Sequence, residues 1–172
     1  MGAGMATRLR EAKRPVSLLA GPYGHPLHPV LVTVPIGAWV ASFVFDLASR
    51  FSDEPVVFAK GAWWLICVGL VGALAAAMLG FLDLFAIPTG TRAFRTGLLH
   101  MALNLTVVAV FAGSLLARRG RLERPDGVPV GLIALSAVAL GVLAVSGWLG
   151  GKLAYRYGVR VADEATQAQG YE

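Results

Sequence analysis

Of 172 residues, 56% are hydrophobic and 15% charged, the mean hydropathy is +0.67, and the formal net charge is +5. Soluble domains run about 45–50% apolar and about 25% charged, so this chain lacks the polar residues to cover a water-facing surface. One domain is the natural count at this length, and a single cysteine, Cys67, excludes an internal disulfide framework and any multi-cysteine metal site.

Residues 1–22 read as a basic segment at the lipid headgroups, carrying Arg8, Arg10, Lys13 and Arg14. The apolar stretch Val16–Ala20 behind them is shorter than the roughly 7–15 residues of a secretory leader. Crossing about 30 Å of hydrocarbon takes about 20 residues. The stretch 23–158 holds four such runs, at 29–49, 61–84, 96–117 and 128–151, each bounded by charge. Pro29 suits a first helical turn, and Pro35 predicts a kink in the first span. Residues 159–172 form a polar tail. The runs are apolar all round, as lipid-facing helices are, and none shows the alternation of a β-barrel strand.

The expected fold is therefore all-α, an integral membrane, up-down four-transmembrane-helix bundle with short connections. Small residues spaced by four mark candidate helix contacts: Gly72, Ala76 and Gly80; Gly37 and Ala41; Ala137 and Gly141; Gly147 and Gly151. Trp63, Trp64, Trp148, Tyr155 and Tyr157 read as interface anchors. The total of Lys and Arg favours cytoplasmic termini in the cell membrane, although charges close to the span ends are nearly balanced between the two sides. The positive charge suits anionic headgroups, and the bilayer, not nucleic acid, is the expected partner.

Up-down threading puts His25, His28, Asp83, His100 and Tyr155 at one membrane face. Histidine is the commonest metal ligand, and all three histidines of the chain fall in this layer. His25 and His28, three apart, share a face if both lie on a first helical turn. His100 and Asn104, four apart, form a polar stripe turned to the bundle. His25, His28 and His100 are thus candidate ligands for a transition metal ion, or, in pairs from different helices, for haem b iron. Asp83, Asn104 and Tyr155 are candidate further ligands or orienting partners.

Plainer roles compete with these. The HPxHP element also serves as a rigid entry turn, Asp83 also suits a salt bridge with Arg92 or Arg95, and Asn104 suits an interhelical hydrogen bond. Asp46 lies at the opposite face, near Arg50, Lys60 and Arg118–Arg121, where an ion pair is its default role. Cys67 reads as a packing residue.

Gly24-His25-Pro26-Leu27-His28-Pro29, Val34-Pro35-Ile36-Gly37 and Phe45-Asp46-Leu47 together resemble the opening of the DUF2231 family. Gly80-Phe81-Leu82-Asp83, His100 with Asn104, and the run Gly150-Gly151-Lys152-Leu153-Ala154-Tyr155-Arg156-Tyr157-Gly158-Val159 extend the likeness over about residues 23–161. Arg160 departs from it, standing where a small residue is expected. The resemblance implies a bacterial four-helix membrane protein, and a Rieske-type iron–sulfur or other redox protein as company. It brings no catalytic residues.

Two functions follow. One is a metal or haem centre for electron transfer; the other is a non-catalytic membrane anchor or subunit that docks a redox or other partner, or a second copy. An enzyme is disfavoured, because no nucleophile–base arrangement or phosphate loop is visible. A transporter lacks its usual pair of broken helices or inverted repeat.

Overall fold

The computed structural model describes residues 3–14, 21, 25–123 and 125–171, and the secondary structure among them is helical. Residues 15–20 of the basic leading segment, Gly24 of the HPxHP motif and Arg124 lie outside the described residues. Four stretches are long and apolar enough to cross a bilayer: His28–Ala48, Pro55–Phe85, Arg92–Arg118 and Val130–Arg156. The chain is a membrane protein with an all-α fold. Successive spans pack on one another and the fourth returns to the first, so the molecule is two helical hairpins laid side by side.

A short helix α1 (Ala3–Lys13) precedes the bundle and is tied to its end by the Arg160 amide, which donates to the Ala12 carbonyl at 3.0 Å. The first span is broken into α2 (His28–Leu31) and α3 (Thr33–Ala48). Pro35 causes the break, since it has no N–H to donate to the Leu31 carbonyl and its ring crowds that carbonyl. The Thr33 hydroxyl donates to the neighbouring Val30 carbonyl at 2.7 Å. Helix α4 (Pro55–Phe85) has Pro55 in its first turn, and α5 (Arg92–Arg118) is capped by the Thr91 hydroxyl, which accepts from the Phe94 amide at 3.1 Å. Both begin before the charge-based limits of 61 and 96, because Lys60, Arg92 and Arg95 are themselves helical. Long basic side chains carry their charge beyond the apolar slab; Lys60 reaches Glu123 at 3.1 Å. The fourth span, α6 (Val130–Gly151), ends in a π-helical turn, Lys152–Arg156. A short α7 (Glu164–Ala168) follows, capped by Asp163.

Trp39 and Phe111 stack in the bundle centre, 4.4 Å between ring centroids and 11° between planes, among Ile66, Ala73, Val107 and Ala139. Gly69 admits the indole: a Cβ there would stand 2.2 Å from Trp39 Nε1. Gly69→Ala is therefore expected to displace the stack and destabilise the fold by about 1–3 kcal/mol. Gly37→Ala, with nothing within 4 Å of its Cβ, should stay within about 0.5 kcal/mol of the parent. Thermal unfolding in detergent compares the two, and equal effects would remove the packing role of Gly69.

Among the small-residue pairs, only the stripe on α4 is a helix contact. A Cβ on Gly72 would meet Val34 at 2.7 Å, and Ala76 is buried. Gly37, Ala137, Gly141 and Gly147 are exposed, on the lipid-facing side of their helices. Lipid places no penalty on a small side chain at its surface, so the spacing alone does not identify an interface.

Candidate metal or haem centre

His28 opens α2, and its Nδ1 lies 2.8 Å from the Ala76 carbonyl oxygen on α4. His100 lies about two turns into α5, and its Nδ1 is 2.8 Å from the Ser146 carbonyl oxygen on α6. A carbonyl oxygen only accepts, so each Nδ1 carries a proton, and in the neutral ring Nε2 keeps its lone pair. That is the tautomer a metal-ligating histidine uses, oriented by a backbone acceptor. The two ring planes are nearly perpendicular, at 84°, with centroids 6.3 Å apart.

Each imidazole rests on a glycine of the helix that orients it. A Cβ on Gly80 would come within 2.9 Å of His28, and one on Gly150 within 3.1 Å of His100. The same device is built twice, once by each hairpin. His28 and His100, Trp39 and Phe111, and Asp46 and Arg118 are each 72 positions apart, and each pair is in contact. Ala76 and Ser146, and Gly80 and Gly150, recur at a nearly equal interval on the second helix of each hairpin. The hairpins are thus parallel repeats, the arrangement that relates two halves about an axis along the membrane normal. Such repeats leave a self-similarity at fixed period in the sequence. That period is the signal by which Asp46 can be paired with Arg118, and His28 with His100, from residue numbers alone.

The repeats differ around the histidines. Asn104 Nδ2 donates to the His100 carbonyl at 2.9 Å and to Ser146 Oγ at 2.8 Å, and lies 3.2 Å from His100 Nε2. Ser146 Oγ in turn donates to the His100 carbonyl at 3.1 Å. Asn104 therefore works as a hydrogen-bond donor between α5 and α6. His28 Nε2 has no hydrogen-bond partner among the described residues.

Two of the remaining candidates are exposed. His25 is exposed on the segment before α2, not on a shared helical turn with His28; the residue before a proline avoids helical geometry, and Pro26 follows it. Tyr155 sits on the π turn with 92% of its surface exposed. Among the described residues, no three His, Cys, Asp or Glu side chains group so as to hold a metal ion.

Asp83 is buried and ion-paired, but its partner is Arg160 at 2.9 Å, rather than Arg92 or Arg95. The π turn and Gly158, at φ +68°, fold the chain back over the bundle end and bring Arg160 there. Arg160 itself has φ +60°, the left-handed region, which costs a side-chain-bearing residue roughly 1–2 kcal/mol. The ion pair and the Ala12 hydrogen bond hold it in place. Arg160→Ala loses the pair and keeps the strain, whereas Arg160→Gly loses the pair and relieves it. The alanine variant should unfold more easily than the glycine variant by roughly 1 kcal/mol, measured by thermal unfolding; equal stability would show that no strain is stored there.

At the opposite end, Asp46 and Arg118 form a bidentate pair at 2.6 and 2.7 Å, with 0% and 2% of their side chains exposed. Arg118 Nε donates to Ser114 Oγ at 3.2 Å, and Ser136 Oγ donates to Asp46 at 3.4 Å. Eighteen residues separate His28 from Asp46, roughly 27 Å at the helical rise. The two polar pairs thus mark opposite faces of the apolar slab, with the Trp39–Phe111 stack between them.

A family model described as a predicted membrane protein, DUF2231, matches residues 24–163. No curated protein matches the chain. No solved structure matches it either.

Proposed function

This chain belongs to the DUF2231 family of predicted membrane proteins, and from that footing we propose that it carries a bis-histidine electron-transfer centre, with haem b iron held between His28 and His100. The observation that carries the reading is the adjacent pair of imidazoles, each locked by its own hairpin with Nδ1 as donor. With ring centroids 6.3 Å apart, His28 and His100 are close enough for both to serve one iron. Ligand number favours haem over a bare ion. Zinc-like sites want four protein or water donors, whereas haem iron brings four nitrogens and takes two axial ones. Binding requires Asn104 to give up its contact with His100 Nε2.

Haem supplies one-electron exchange between ferric and ferrous iron. His28 and His100 would hold the group, the apolar helices around them would exclude water, and the histidine face would meet a redox partner, for which a Rieske-type protein is the chemical class the family likeness suggests. The total of Lys and Arg supports a cell-membrane placement with cytoplasmic termini, which makes this face the cytoplasmic one.

The test is haem and metal analysis of detergent-purified protein from cells grown with added iron and haem. About one haem per chain is expected, with a Soret band; a colourless, metal-free preparation overturns the proposal.

A further inference from the structure

We infer that the buried Asp46–Arg118 pair is the code that directs the first hairpin onto the second hairpin and away from a copy of itself. The two hairpins repeat the same contacts along their shared axis. A hairpin that met its own copy from another chain would reproduce two of the three contacts. Histidine faces histidine in either arrangement, and tryptophan or phenylalanine stacks on its own kind as well as on the other.

The third contact does not survive the exchange. Two first hairpins would set Asp46 against a second Asp46, and two second hairpins would set Arg118 against a second Arg118. Both groups are buried, 0% and 2% exposed, where no water screens them. Like charges at such a separation within a membrane are strongly unfavourable. The surrounding hydroxyls do not rescue the wrong pairing, because Ser42 and Ser114 repeat at the same spacing and Ser42 already donates to the Trp39 carbonyl at 2.8 Å. A buried ion pair contributes little net stability compared with well-packed apolar residues, and its best-attested use is to fix register and partner. Here it singles out the heterologous hairpin, which the six-residue connection after Phe85 keeps adjacent in the same chain.

Two differently tagged copies of the full chain, co-expressed and purified in mild detergent, test this. Asp46→Arg alone and Arg118→Asp alone should each lower the yield of folded protein about tenfold or more. The reciprocal exchange, Asp46→Arg with Arg118→Asp in one chain, should return it to within about threefold of the parent. The neutral pair, Asp46→Leu with Arg118→Leu, should be recovered in parental yield, yet its two tagged copies should co-purify several-fold more than parental copies do. An exchange variant as poor as the single variants would overturn the inference. So would a well-folded neutral pair whose copies co-purify no more than the parent's, since the ion pair would then stabilise without selecting. These outcomes do not depend on whether haem binds.

Discussion

Arg118→Ala is expected to lower the unfolding free energy by about 3–5 kcal/mol, the usual effect of stranding one member of a buried pair. The substitution leaves the Asp46 carboxylate fully buried with, among the described residues, the Ser136 hydroxyl at 3.4 Å to meet it. Asp46→Ala strands the guanidinium in the same way, with Ser114 as its remaining partner. Removing both charges by the double leucine replacement should cost far less than the two single changes together, because the penalty lies in the unpaired charge. The exposed pair Lys60–Glu123 provides the comparison, and Lys60→Ala should change stability by about 0–1 kcal/mol. A cycle of unfolding measurements in one detergent tests all of this. An Arg118→Ala variant as stable as Lys60→Ala would show that water or lipid headgroups reach Asp46.

The second large effect is expected at the other end of the axis. His28→Ala and His100→Ala should each abolish six-coordinate haem binding, converting the absorption spectrum from low-spin to high-spin or losing the pigment altogether. His25→Ala should leave the spectrum unchanged, since His25 is exposed before the helix begins. Asn104→Ala removes no ligand and frees His100 Nε2 of the contact that binding must displace, so it should keep the six-coordinate spectrum. A spectrum lost with His25→Ala and kept with His100→Ala would reverse the assignment.

The bundle was plainly legible in the sequence, because four apolar runs of span length suit a bilayer far better than a soluble core, and the short connections dictate up-down threading. The shared face of His28 and His100 was legible for the same reason. Helix ends were less so, since Lys60 and Arg92 extend their charges past the apolar slab instead of ending the helices. The partner of Asp46 was one of several nearby cations, and only the common register of the first and third spans selects Arg118. The partner of Asp83 was not legible at all. It depends on a π turn and a left-handed arginine, neither of which follows from residue periodicity. The repeat was hidden because its shared letters, His28 with His100 and Ser42 with Ser114, lie among apolar residues that interchange freely in lipid.

The most direct measurement is the low-temperature electron paramagnetic resonance spectrum of the purified protein in its ferric, haem-loaded form. Two imidazoles set at 84° to one another predict a low-spin signal of the strongly anisotropic type that crossed axial planes produce. A high-spin signal, a rhombic low-spin signal of parallel imidazoles, or a protein that takes up no haem would contradict the bis-histidine assignment.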